Sequence, residues 1–213
     1  MIHIKKFVFN PVQENTYVLY DDSKTCVLVD PGNMFDYEHE QLDEFIAAEG
    51  LIVKQIVNTH CHFDHLFGVN YIRQKYQVPF MAHEKENAII DLYPDWCAMR
   101  GVDGVEPVAY PDIYLKDGDV LENDRSKLQL LHVPGHSPGS LVVYCEEQRF
   151  LIAGDVLFQG SIGRTDLPQG NFEQLLDGIK SKLLTLPDDV KVYCGHGAET
   201  TIGAEKKNNP FLT

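Results

Sequence analysis

The stretch Asn58-Thr-His-Cys-His-Phe-Asp-His65 places His60, His62, Asp64 and His65 almost side by side in the chain. Neutral imidazole and carboxylate are the ligands that suit zinc, iron and manganese. Side chains two apart in extended chain point the same way, so His60 and His62 can grip one ion. Asp64 and His65 fall on the turn into the next predicted helix and point elsewhere, which suits a second ion. Cys61 lies between two candidate ligands but faces away from both in extended chain, and it is assigned to packing.

The elements that position these groups are legible as apolar runs and turn residues. Strands are expected at 6–9, 16–20 and 26–29, the third closed by Asp30-Pro-Gly32. Helical spacing covers 37–49, with Gly50 as its stop. A strand at 52–58 leads into the histidine cluster, followed by a helix at 67–76 and a strand at 78–81. Residues 84–100 read as helical with a break near Pro94, and Tyr93, Trp96 and Met99 as core packing of that segment, with the lining of a pocket mouth as the alternative. Strands at 113–115, 119–121 and 128–133, a hairpin at 141–145 and 149–153, an amphipathic helix at 171–184 and a strand at 190–194 complete the chain. Lys206 and Lys207 read as a solvated tail. Runs of strands broken by a few helices favour sheets packed against helices.

Four of these strands share one property. The strand at 52–58 runs into His60 and His62, 128–133 into Pro134-Gly-His136, 149–153 into Gly154-Asp155, and 190–194 into Gly195-His196. Loops at strand ends, held by a rigid scaffold, are where ligand sites are built. Five histidines and two aspartates are too many for one tetrahedral ion and suit two. One division gives His60, His62 and His136 to the first ion and Asp64, His65 and His196 to the second. Asp155 can bridge them, because a carboxylate has two oxygens and an imidazole one free nitrogen. Two divalent ions about 4 Å apart would hold a shared water and ionise it near neutral pH. Zinc is the first expectation, with iron and manganese compatible with the same donors.

Bulk properties narrow the partners. A chain of 213 residues suits one domain spanning 1–213, and it can bury a full core. A net charge of −14 argues against a nucleic-acid partner and against an anionic membrane surface. Five cysteines without C-x-x-C spacing fit free thiols in a reducing compartment. No apolar stretch of signal-peptide or membrane-span length is present, so the expected location is cytoplasmic. A small-molecule substrate and a monomer or small homo-oligomer are expected.

The order H-x-H-x-D-H, then a separate His, Asp and His, resembles the metallo-β-lactamase superfamily. Asp30-Pro-Gly32 and Pro134-Gly-His-Ser-Pro-Gly139 extend the resemblance over nearly the whole chain. It implies an α+β fold, an αββα sandwich of two mixed sheets flanked by helices, with the metals at one edge. Through Gly163-Arg-Thr-Asp-Leu-Pro168, Gly195-His-Gly197 and Asn208-Asn-Pro-Phe-Leu212 the chain looks most like short glyoxalase II enzymes, the hydroxyacylglutathione hydrolases. That likeness implies hydrolysis of a thioester, S-D-lactoylglutathione or a related acyl-glutathione, by hydroxide bridging the two ions, with Asp64 orienting it. A thiolate leaves without a strong general acid, and the motifs offer none.

Longer glyoxalase II enzymes add a C-terminal helical domain and a tyrosine just after the last metal histidine; here that run is Gly197-Ala-Glu-Thr. Arg164 is the candidate partner for a substrate carboxylate, or else pairs with Asp166. His83 reads as a structural histidine, and His3, His39 and His132 lack evident partners. The same Gly-Arg-Thr-Asp run also resembles glutathione persulfide dioxygenases, which bind a single iron, and this is the alternative enzyme. β-Lactam hydrolysis and a non-enzymatic metal-binding module are further readings that metal-dependent thioester turnover would separate.

Overall fold

In the computed structural model, which describes residues 1–123 and 126–213, two six-stranded sheets pack face to face between helices. The first sheet runs in chain order through β1 (His3–Phe9), β2 (Glu14–Tyr20), β3 (Thr25–Val29), β4 (Ile52–Val57), β5 (Phe80–His83) and β6 (Ile113–Leu115). The pairs β1/β2 and β2/β3 are antiparallel; β3/β4, β4/β5 and β5/β6 are parallel. The second sheet contains β7 (Val120–Asn123), β8 (Ser126–His132), β9 (Leu141–Cys145) and β10 (Phe150–Gly154). A small ribbon, β11 (Leu157–Phe158) with β12 (Ser161–Ile162), stands apart. The second sheet is completed by β13 (Lys191–Cys194) and β14 (Thr200–Thr201), in the order β14-β13-β10-β9-β8-β7.

Helices α1 (Asp36–Glu49), α2 (Val69–Tyr76), α3 (Asn87–Ile90) and α4 (Tyr93–Ala98) cover the first sheet, and α5 (Phe172–Gly178) and α6 (Ile202–Asn208) the second. Alternation along single strands explains the layers, since successive side chains of a strand face opposite ways. Tyr17 and Leu19 of β2 and Val27 and Val29 of β3 meet Val143 and Ile152 of the other sheet in a central core. Their neighbours Val18, Cys26 and Leu28 face Leu42 and Ile46 of α1 and Ile72 of α2. On the far side Val142, Leu151 and Ala153 pack on Leu175 of α5 and Ile202 of α6. Strands sandwiched on both faces are apolar at nearly every position, which is why they read as runs in the sequence. The expected αββα sandwich of mixed sheets is the fold observed.

Several local expectations are corrected. The helical stretch at 84–100 is a 3₁₀ turn (Glu84–Glu86) followed by α3 and α4, with its break at Asp91 and Leu92 rather than at Pro94. Pro94 sits in the first turn of α4, where a missing N–H costs nothing. Met99 is 80% exposed and not in the core, whereas Tyr93 and Trp96 are buried there. The segment at 171–184 is α-helical only to Gly178 and widens to a π-helix over Ile179–Leu183. Lys206 is no solvated tail: it lies on α6 and donates to Leu186 O and Asp188.

The histidines read as lacking partners also have them. His39 stacks on Tyr71 and bonds to Asn33, His3 lies against Tyr20 and Asp22, and His132 stacks on His83 with centroids 4.3 Å apart. All five cysteines are free and buried. No helix among the described residues is long and apolar enough to cross a membrane.

Candidate metal centre

Topology brings the strand ends together. β10 is parallel to β13 and antiparallel to β9, which is antiparallel to β8, so β8, β10 and β13 all finish at one edge. At that edge His136, Asp155 and His196 meet the loop that follows β4. There His60 and His62 lie just before a 3₁₀ turn, Phe63–His65, that carries Asp64 and His65. All seven residues expected from the sequence are therefore neighbours. His60, His62 and His136 have ligand atoms within 4.8 Å of one another, as do Asp64, His65 and His196. Asp155 lies between the groups. Its Oδ2 is 3.5 Å from His136 Nε2 and 3.7 Å from His196 Nε2, while Oδ1 is 3.6 Å from His65 Nε2.

The bonds behind the rings decide which nitrogens are bare. His136 Nδ1 is 2.8 Å from Arg164 O, which only accepts, so Nδ1 carries the hydrogen and Nε2 a lone pair. His196 Nδ1 faces the carbonyls of Val12 and Gln13 in the same way. Thr59 gives its hydroxyl hydrogen to Asp30, so its oxygen accepts from His60 Nδ1 and leaves His60 Nε2 bare. The result is three nitrogens aimed at one another: His62 Nδ1 is 2.9 Å from His136 Nε2, which is 3.3 Å from His60 Nε2. His62 can bridge the gap as a donor from Nδ1, which leaves its buried Nε2 without a partner, or present a bare Nδ1 to a cation shared with the other two rings. Tetrahedral zinc with bonds of about 2.0–2.1 Å holds its nitrogens roughly 3.3 Å apart, so the spacing fits such an ion. His65 Nε2 and Asp155 Oδ1 are buried without any hydrogen-bond partner, as a second ion would require.

Electrostatics divide the site in two. Burial, then the neighbouring imidazoles, push His60 well below its ordinary value, and burial takes His62 down to about 3. Burial likewise lowers His136. These rings are neutral near pH 7 and competent to ligate. Around His65 burial works in the same direction, but the charges of Asp64 and Asp30 outweigh it and raise the value. For His196 the bond to Asp64, 3.1 Å from Nε2, overcomes burial and raises it too. Asp64 and Asp155 stay below the usual carboxylate range: burial opposes this, and His65 and the other histidines outweigh it. This half thus carries excess negative charge, met by protons or by a cation, so binding an ion there releases protons.

Residues beyond the expected set hold the cage. The rule of strand ends applies once more to β3, whose end delivers Asp30. Its two oxygens accept from Thr59 N and Thr59 Oγ1, each at 2.6 Å, and Oδ2 lies 3.2 Å from His65 Nδ1. Glu14, fully buried, sets Oε1 3.8 Å from the same nitrogen. Glu86 joins the two histidine loops, accepting from Cys61 N at 2.7 Å, Gly139 N at 2.7 Å and Ser137 Oγ at 2.5 Å. This also settles Cys61 as a packed, inert thiol; burial raises its pKa. Gly154 turns β10 into Asp155 at φ +50°, where a Cβ would meet Thr59 Oγ1 at 2.2 Å, so only glycine fits. Glu14 and Glu86 lack any sequence signature, whereas Asp30 repeats the pattern of the other four strands.

Above the cage lies a cleft of about 250 Å³. Val12, Phe63, Trp96 and Leu167 form its apolar walls, and Arg100 and Arg164 line it. Trp96 packs on the His62 ring with centroids 5.2 Å apart. Arg164 is bound through both its Nε and Nη2 to Asp166, each bond 2.7 Å long.

A double histidine–aspartate cage at the edge of an αββα sandwich defines a class of metal-dependent hydrolases. The chain belongs to the metallo-beta-lactamase superfamily, whose family model matches residues 9–196. Among its relatives is the hydroxyacylglutathione hydrolase GloC of Haemophilus influenzae, 36% identical over 201 residues, covering 94% of this chain and 93% of GloC. The crystal structure of the BLEG-1 B3 metallo-beta-lactamase superimposes with a TM-score of 0.88 at 39% identity, covering 99% of this chain and 100% of that one. That of TTHA1623 in a di-iron-bound form also gives 0.88, at 34% identity, with 98% and 100% covered.

Proposed function

We propose that the protein hydrolyses thioesters, S-D-lactoylglutathione or a related acyl-glutathione, with two divalent cations in the cage. The observation that carries this reading is the pair of ligand triads sharing Asp155 beneath a small, partly apolar cleft. His60, His62 and His136 would hold one ion and Asp64, His65 and His196 the other. Bound there, the cations would supply Lewis acidity toward a carbonyl oxygen and lower the pKa of a water. The protein's own part is positional: Arg164 O, Thr59 and Asp30 fix the rings, and Asp64 and Asp155 remain ionised as acceptors for a water's proton. Neither carboxyl is held protonated at the outset, so a proton for an amide nitrogen would have to be the water's own, passed on by Asp64 or Asp155. A thiolate needs no such donor. Similarity to GloC over nearly its whole length supports the same substrate class. Zinc and iron both suit these donors, and TTHA1623 holds a di-iron form.

The test pairs elemental analysis with a panel of glutathione and coenzyme A thioesters, a chromogenic cephalosporin and glutathione persulfide. Close to two ions per chain and turnover of a glutathione thioester are expected. His62→Ala should lose about one ion and nearly all turnover while its circular dichroism stays native. Turnover of the cephalosporin alone would move the activity to β-lactams, the reaction named for BLEG-1. One iron per chain with oxygen uptake on the persulfide would replace hydrolysis by the single-iron dioxygenase.

A further inference from the structure

The two arginines of the cleft differ in what they are free to do. Arg164 is closed on Asp166 by a fork of two bonds, a pairing that satisfies its charge within the protein. Arg100 has no carboxylate partner among the described residues. Its Nη1 donates to Trp96 O at 3.1 Å, and its guanidinium lies over Phe63, 4.4 Å from the ring centroid, and near Trp96 at 5.9 Å. A cation over an aromatic face is held in orientation while its remaining N–H donors stay available.

The backbone fixes the same residue. Arg100 closes α4 in a Schellman turn: Gly101 N bonds to Ala98 O at 3.0 Å and Val102 N to Cys97 O at 2.9 Å. Gly101 supplies the left-handed position at φ +74°. Val102 packs back on the core, so the end of the helix is anchored. Phe63, the platform under Arg100, directly precedes Asp64 of the cage. An unpaired, oriented cation therefore stands at the wall of the cleft beside the reacting centre.

We infer that Arg100 binds a carboxylate of the substrate, and that the enzyme selects thioesters whose acyl or thiol part carries one. The planar fork of a guanidinium matches the two oxygens of a carboxylate. The role expected of Arg164 passes to the arginine whose charge is not already met. This inference rests on the thioester reading for its kinetics but not for its binding.

The test measures binding of S-hexylglutathione, its dimethyl ester and S-hexyl-coenzyme A to the zinc-loaded protein by calorimetry. These thioethers cannot be hydrolysed. Wild type should bind the acid at least tenfold more tightly than the ester. Arg100→Met should bring that ratio within threefold, Arg100→Lys should retain part of it, and Arg164→Met should leave it unchanged. In turnover, Arg100→Met should raise KM for the glutathione thioester at least tenfold with kcat within twofold. A wild-type ratio below threefold overturns the inference. So does a ratio that survives Arg100→Met, one lost in Arg164→Met, or a loss seen only for the phosphate-bearing coenzyme A probe. If no thioester turns over, the proposed reaction fails, and the acid-to-ester ratio still decides the assignment of Arg100.

Discussion

Replacing Glu86 with alanine should weaken both the fold and the cage, by an amount that depends on pH in a definite direction. Its carboxylate is the shared acceptor for Cys61 N–H, Gly139 N–H and the Ser137 hydroxyl, in a site with no solvent exposure. Leaving a buried donor without a partner costs about 1–3 kcal/mol, so three together cost roughly 3–9 kcal/mol. Against this stands the cost of keeping the acid buried and ionised. Burial raises its pKa from 4.5 to about 7, with the three bonds pulling back, which corresponds to roughly 3 kcal/mol. At pH 8 the net loss is therefore about 0–6 kcal/mol with a midpoint near 3, which corresponds to about 6–12 °C in melting temperature.

The sign of the pH dependence follows from the raised value. Glu86 contributes most stability below 4.5, and that contribution is lost as pH rises through about 7. The alanine variant has no such group, so the gap between the proteins should widen by roughly 2 kcal/mol between pH 8 and pH 5.5. Urea unfolding of the chelator-treated proteins at both pH values reads the gap. Zinc affinity, measured by competition, should fall about 10–100-fold, because the carboxylate ties together the loops bearing His60, His62 and His136. A gap that is constant or narrows in acid, or an unchanged zinc affinity, would refute the reasoning.

Asp43 offers a test of opposite sign. Burial pushes its pKa up, but bonds from Lys75, Tyr71 and Tyr76 reverse this and set it below 3.8. Asp43→Asn should cost about 1–2 kcal/mol at pH 7. That difference should persist above about pH 4 and close as pH falls through the depressed value; acid titration of stability against wild type checks it. Gly101→Ala meets no atom within 4 Å, so its cost of about 1 kcal/mol comes from the positive φ alone. It should shift Arg100 and reduce the acid-to-ester binding ratio with no change of charge, and an unaltered ratio would show that the turn does not position the guanidinium.

The candidate ligands were readable because His60, His62, His136, Asp155 and His196 each come just after an apolar run, and strands buried on both faces leave such runs in the sequence. β9 and β10 are examples: every residue of both is buried. What escaped notice depends on contacts made across the chain. α6 contains Gly203 and a run of lysines and has weak helical spacing. It forms because Thr201 caps Ala204 N and buried Glu205 accepts from Thr200 and Gly160. Glu86 resembles any surface glutamate until residues 61, 137 and 139 converge on it. Arg100 was visible only as the end of a helical stretch, although Arg-Gly at a helix stop is a signal for a fixed C-terminal turn. The two-residue strands β11, β12 and β14 are too short to show a period.

The order of the strands also bears on how the molecule is built. β13 lies beside β10 in parallel, and it delivers His196 to a cage whose earliest members, His60 and His62, follow β4. A chain emerging from the ribosome therefore displays four of the seven candidate donors long before the other three exist. Until the final stretch docks, those early imidazoles have no closed pocket around them. Tight retention of an ion would then mark a finished molecule, and a truncated or misdocked copy would betray itself by giving its metal up to any competing chelator.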